Sequence, residues 1–378
     1  VDQSLVPRVP DRLIRRSPDL LTYPAVLLLA AGLAVAPGRA TPPTDAEMTG
    51  PCPHPRGYVC HRATSPVTID GRLTDPAWAA VPWTEPFVDI EGDKQPKPRF
   101  RTRVKMLWDD EALYVAAELE EPHVRATLTD HDSVIFHDND FEVFLDPDGD
   151  NHLYAELELN ALNTTWDLLL TKPYKDGGNA INAWEITGLK TAVHVNGTLN
   201  DPRDTDTGWT VEIRWPWAGL RELTRVAVPP RDGDHWRINF SRVEWDVEVA
   251  GGKYHQLAWR AEHNWVWSPQ GVIDMHRPER WGYLQFSTAE PGRAAFVPDP
   301  DWPTRDLLHR VYYAQRFYRK ATGKYAGNLA DLRLAGVNAP VILETTRGGF
   351  EACLSVPAAS GAKPRRWVIT HDAHIRVE

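Results

Sequence analysis

Between Ala63 and Ser287 the chain is divided into short segments in which apolar and polar residues alternate. They are VKMLWDD from Val104, ALYVAAEL from Ala112, DFEVFLD from Asp140, LYAELELNA from Leu153, WTVEIRW from Trp209 and WRINFSRVEW from Trp236. A period of two gives a strand one face for a core and one for polar surroundings. Clusters of Asp, Gly, Pro or Asn bound each segment and supply turns. No helical segments alternate with these strands, so a parallel βαβ layout is excluded. The expectation is a mainly β chain, an antiparallel β-sandwich or sheet-packed barrel. One short helical turn is expected at Pro216 in WPWAGL, because Pro suits the first helical position.

The two ends of the chain have a different character. Residues 1–40 begin with Arg8, Arg12, Arg15 and Arg16, continue through an apolar run from Ala25 to Ala36, and end in small residues at Ala40. This layout predicts a secretory signal peptide cleaved near Ala40, and hence a secreted or periplasmic protein. The run is shorter than the ~20 apolar residues of a membrane-spanning helix, so no stable insertion is expected after cleavage. A retained anchor is the alternative; Arg15-Arg16 also permits a twin-arginine signal, although the residues after it fit poorly. Residues 41–62, rich in Pro, Thr and Gly, read as a linker to a domain at 63–288. A second Pro-rich linker, 289–303, precedes an extension at 304–378. Leu307, Leu308, Val311, Tyr312, Gln315, Phe317 and Tyr318 recur there at helical spacing, with Thr304 as expected N-cap and Gly323 as terminator. GKYAGNLADL after that helix resembles the turn into a small sheet in type IV pilin-like proteins, so the extension is read as α+β. In an oxidising compartment Cys52 and Cys60 could close a small loop, and pairing of Cys60 with Cys353 is the other possibility.

A formal net charge of -10 argues against nucleic-acid binding, whose affinity comes from Lys and Arg on phosphates. The chain has no GxSxG nucleophile elbow, no HExxH zinc helix and no phosphate-cradling glycine loop, which points away from catalysis. The 16 Trp residues are the notable excess. Trp78, Trp108, Trp209, Trp236 and Trp281 fall at positions expected to face a core.

IDGRLTDPAWAAVPW places a turn at Asp70-Gly71 and a short helical turn at Asp75-Pro76 that buries Trp78. This segment resembles the opening of carbohydrate-binding module family 9, a sandwich related to DOMON domains. LWDDEALYVAAEL, HDNDFEVFLDPDGD, GWTVEIRWPWAGL and SPQGVIDMHRPERWGYLQF match later family segments in the same order, over about 225 residues. The resemblance implies non-catalytic binding of a saccharide, such as the end of a plant or microbial polysaccharide. Two aromatic walls would bury the apolar sugar face while polar groups satisfy its hydroxyls. Aligned by motif, the walls are Phe136 and Trp267, with Glu142 and Asn264 beside them and Asn160 and Asn163 as further polar contacts. The family has Trp where this chain has Phe136.

Asp146, Asp148 and Asp150 alternate around Gly149, a pattern whose oxygens can converge on Ca²⁺. The resemblance implies structural calcium, and a solvated turn is the plainer reading. No organic cofactor is expected. His255, His263, Met275 and His276 keep open a b-type haem electron-transfer domain of related fold. A glycoside hydrolase, or an accessory part of carbohydrate catabolism, is the other alternative; it needs two carboxylates facing each other in a cleft.

Overall fold

Period-two segments become strands wherever their apolar side can be buried, and the computed structural model follows this rule closely. It describes residues 47–257, 259–337, 339–357 and 364–378; the expected signal peptide lies outside them. The chain runs through β1 (Gly57–Arg62), α1 (Pro76–Ala79), β2 (Val88–Asp89), β3 (Thr102–Trp108), β4 (Ala112–Glu120), β5 (Asp140–Asp146) and β6 (Tyr154–Asn160). Next come β7 (Thr165–Leu170), β8 (Ala180–Ile181), β9 (Lys190–Asn196), β10 (Gly208–Pro216) and β11 (His235–Glu244). The hairpin of β12 (Val247–Ala250) and β13 (Lys253–Gln256) leads to β14 (His263–Val266) and β15 (Gly282–Ser287). As expected, a short helical turn follows Pro216, at Trp217–Leu220.

Among the described residues, thirteen strands share one sheet in the order β8-β7-β6-β5-β11-β15-β1-β3-β4-β10-β9, with β14 on β11 and β2 on β14. Strand β11 divides its edge, giving its first residues to β15 and its last to β14. The sheet folds over itself, so Val104 and Met106 of β3, Val115 of β4 and Ile213 of β10 share a core with Val143 of β5, Leu157 of β6 and Phe240 of β11. A mainly β sandwich is the result. All five tryptophans expected inside are buried there or in adjoining clusters.

Strand β1 corrects the expected linker at 41–62. It pairs in parallel with both β15 and β3, and Tyr58 and Cys60 enter the core. Cys60 therefore cannot close a loop with Cys52. All three cysteines are unbonded, and Cys353 lies buried on a strand of the extension.

The opening motif is held by one side chain. Glu212 of β10 is fully buried and accepts from the Asp70 N–H (2.9 Å), the Gly71 N–H (2.7 Å) and the Trp78 indole N–H (2.7 Å). Gly71 is needed because its φ is +81° and a Cβ would sit 2.6 Å from the Val193 carbonyl carbon.

The extension begins with α2 (Trp302–Thr322), started by Asp301 and Pro303 rather than the expected Thr304 cap and ended by left-handed Gly323. Four antiparallel strands follow: β16 (Ile342–Thr345), β17 (Phe350–Val356), β18 (Arg365–Thr370) and β19 (Ile375–Val377). Leu308, Val311 and Tyr312 of α2 pack on Phe350, Trp367 and Ile369 in a second core. No described helix is long and apolar enough to cross a membrane.

Glu212→Ala leaves two buried donors, the Gly71 N–H and the Trp78 indole N–H, without an acceptor, each a loss of ~1–3 kcal/mol, while the Asp70 N–H keeps the Thr68 carbonyl. The expected outcome is a fall in unfolding free energy of about 3–5 kcal/mol in urea titrations; a loss under about 1 kcal/mol would contradict this role.

Candidate functional site: an acidic sheet face with an aromatic rim

The expected Phe136–Trp267 clamp does not form. Trp267 is 0% exposed: its backbone N–H continues the pairing to Phe240, and its ring lies in the sandwich core. The ring fills the space left by Gly282, where a Cβ would come within 2.2 Å of it. Asn264 lies half-buried on β14 opposite Val243, and its carbonyl accepts from the Ile90 N–H. Asn160 is committed to turns: Oδ1 accepts from the Leu162 and Thr164 N–H groups, and Nδ2 donates to the Leu128 carbonyl and to Asp138. Asn163 takes a left-handed φ of 62° and donates to the Thr191 carbonyl.

Phe136 and Glu142 both lie next to Glu158, the one through its N–H and the other through ladder pairing. On β5 and β6 the odd-numbered residues Phe141, Val143, Leu145, Ala155, Leu157 and Leu159 face the core. Alternation then sends Asp140, Glu142, Glu156 and Glu158 to the opposite face. Ladder register aligns Ser241, Glu142, Glu158 and Trp166 in a row across β11, β5, β6 and β7. Oxygens of Asp140, Glu142 and Glu158 lie within 4.8 Å of one another.

Aromatic side chains edge this face. Phe136, 36% exposed, has its ring centroid 6.5 Å from that of Trp166, and its N–H donates to Glu158 at 3.0 Å. The half-buried Trp245 donates its indole N–H to the Phe136 carbonyl (2.9 Å). Tyr174, 47% exposed, meets His276 edge-on at 4.5 Å. Burial, then the nearby charges of Glu156 and Glu158, push its hydroxyl up to about 12. Glu156, Glu158, Trp166, Tyr174 and Trp245 were absent from the sequence-based set. The alternation of LYAELELN already put the two glutamates on the face of Glu142.

Electrostatically, the face is under strain. Burial pushes the Glu142 carboxyl up to about 7. Asp140, Glu156 and Glu158 are driven well above the usual carboxylate range, first by burial and then by the charge of Glu142. Like charges on directly opposed strand positions repel, so protons must be shared here when nothing else neutralises them.

A second acidic set is the expected calcium loop. Oxygens of Asp146, Asp148 and Asp150 converge within 4.8 Å. Asp146 accepts from the Gly149 and Asn151 N–H groups, and Asp148 Oδ2 accepts from Thr224 and the Arg225 N–H. Asp148 Oδ1 is buried without a partner. Converging hard oxygens with spare lone pairs fit a calcium ion.

The histidines weighed for haem serve separate structures. His276 packs on Tyr154 and Phe144, and burial pushes its ring down to about 4. His263 contacts Arg99 and Asp246, while His255 meets the Ala250 carbonyl on the β12–β13 hairpin. Met275 packs beside Trp281.

A carboxyl raised in the folded chain keeps a proton that the unfolded chain has released. Its destabilising effect is absent below the unfolded pKa near 4.5 and grows as pH rises to about 7. Wild type compared with Glu142→Gln should therefore lose on the order of 1–3 kcal/mol more stability between pH 4.5 and pH 8, read by urea titration. Parallel pH profiles for the two proteins would contradict the strained face.

Residues 69–285 match the family model described as carbohydrate family 9 binding domain-like. Solved structures similar to the chain include a carbohydrate-binding module family 9 from Caldicellulosiruptor kristjanssonii in complex with cellotriose, at 18% identity and TM-score 0.42, covering 65% of this chain and 100% of that one. A putative carbohydrate-binding protein from Bacteroides uniformis is similar at 16% identity and TM-score 0.46, covering 62% and 100%. A family 9 module from C. kristjanssonii in complex with glucose is similar at 17% identity and TM-score 0.40, covering 64% and 99%. No curated protein matches the chain. The family model spans more than half of the 378 residues, from the Glu212-held opening motif to the closing strand, and the chain belongs to the carbohydrate family 9 binding domain-like family.

Proposed function

We propose that this protein captures saccharides without catalysis, on the acidic face of β5 and β6 beneath the aromatic rim. The observation that carries this reading is unmet hydrogen-bonding capacity under that rim. Asp140 Oδ2, Glu156 Oε2 and the Trp166 indole N–H are buried without partners. A sugar hydroxyl donates and accepts at once, so it suits a face that offers carboxylates and an indole N–H together. The apolar side of a pyranose suits the rings of Phe136, Tyr174 and Trp245. Family membership supports the same function.

We infer further that Asp146, Asp148 and Asp150 hold a structural calcium ion, supported by the unpartnered Asp148 Oδ1. The basic start and short apolar run of residues 1–40 support export of the protein.

A panel of immobilised gluco-, xylo- and manno-oligosaccharides tests the binding reading. Trp245→Ala and Glu158→Gln should each weaken the retained sugar about ten-fold, as befits ~1.5 kcal/mol of stacking or charged hydrogen bonding. Failure of the wild type to retain any sugar, or unchanged affinity in both variants, rejects the site. Release of reducing sugar that Glu142→Gln abolishes would identify a hydrolase instead. For the loop, millimolar calcium added after chelation should raise the melting temperature by roughly 5 °C, a gain that Asp148→Asn removes. No calcium effect on wild type rejects the ion.

A further inference from the structure

Away from the acidic face, a mixed set of side chains joins two loops to β7. His131 lies in the loop before Phe136, Asp167 on β7, and Glu185 in the loop after β8. Their ligand-type atoms lie within 4.8 Å of one another. His131 Nδ1 meets the Thr165 carbonyl oxygen at 2.9 Å. A carbonyl only accepts, so Nδ1 carries a proton and Nε2 is the ring nitrogen turned toward the carboxylates. A metal-binding histidine is oriented in this way by its second nitrogen.

His131 Nε2 is the centre of the set, within hydrogen-bond distance of both Glu185 oxygens. From His131 Nε2 it is 3.2 Å to Glu185, 3.4 Å to Asp132 Oδ1 and 3.8 Å to Asp167 Oδ1. Two ligands each ~2.0–2.2 Å from a tetrahedral ion stand about 3.3–3.6 Å apart, so Glu185 and Asp132 already lie near ligand spacing from Nε2 and Asp167 Oδ1, at 3.8 Å, stands slightly wider. An independent observation points the same way. Asp167 is almost wholly buried, its Oδ2 accepts from the Ile186 N–H at 2.6 Å, and its Oδ1 has no hydrogen-bond partner although it faces His131.

We propose that His131, Asp167 and Glu185, assisted by Asp132, form a binding site for a zinc-class divalent transition metal. An imidazole nitrogen with carboxylate oxygens suits zinc and disfavours calcium and magnesium, which take oxygen ligands. The ion ties the loop leading to Phe136 and the loop at Glu185 to the rigid strand β7. Its existence does not depend on saccharide binding.

The test is calorimetric titration of the full chain with zinc chloride after removal of bound metal, with cobalt absorption as a second readout. Glu185 is 63% exposed in its side chain, so Glu185→Gln leaves the fold intact; His131→Gln is likewise a surface change. Wild type should bind with micromolar or tighter affinity, and each substitution should weaken binding at least ten-fold. Tetrahedral cobalt bands should be lost in His131→Gln. Absence of zinc uptake by the wild type, or binding that survives both His131→Gln and Glu185→Gln, overturns the site.

Discussion

Leu157 and Leu159 cannot enter the sandwich core without sending Glu156 and Glu158 to the other face of the same strand. This constraint shapes the candidate site. Slipping β5 or β6 by one residue would move three core side chains onto the acidic face and put the carboxylates in the apolar core in their place, so register is fixed by packing of Val143, Leu145 and Leu157. The acidic face is therefore as rigid as the core behind it. Rigidity matters for capture, because a ligand that meets fixed partners loses less free energy to their ordering.

Two buried carboxylate arrangements differ in how fully their oxygens are satisfied. Glu212 has three donors in contact and staples one motif to one strand. The carboxylates of β5 and β6 are also buried, yet Asp140 and Glu156 each keep an oxygen without a partner. A buried unpaired acceptor costs ~1–3 kcal/mol, and a set of neighbouring ones multiplies the cost. Under the proposed saccharide site, those unpartnered acceptors are the ones a ligand's hydroxyls would satisfy. The same reasoning sets the Asp148 oxygen apart from Asp146, whose hydrogen bonds fix the loop.

The strands were legible in the sequence because alternation and turn residues state them locally. DFEVFLD and LYAELELNA became β5 and β6 almost residue for residue. The site was legible only in part. Glu142 and Phe136 came from motif alignment, whereas Glu158 and Trp166 meet them through ladder register, which no local pattern states. Trp267 was misplaced because NWVW reads as a loop, while its backbone keeps pairing with β11 and a gap at Gly282 receives the ring. Cys60 was misplaced for a related reason: β1 joins the sheet by parallel pairing to distant strands, and a Pro-rich approach hides that.

The extension bears on the Asp146–Asp150 loop more than its place in the chain suggests. The Ile375 N–H donates to the Asp150 carbonyl, and His374 pairs with the Asp150 carboxylate at 3.1 Å. One residue further on, Asn151 donates to the Ala373 carbonyl and meets the buried His309 of α2 at 2.9 Å. Burial drives the His309 ring down to about 3, so it sits there neutral, its Nδ1 bonded to the Arg305 carbonyl and its Nε2 accepting from Asn151. The loop is thus held from the sandwich side by Thr224 and from the other side by α2 and β19. Its carboxylates owe their convergence to both bodies of structure, and the extension belongs to the architecture of that loop.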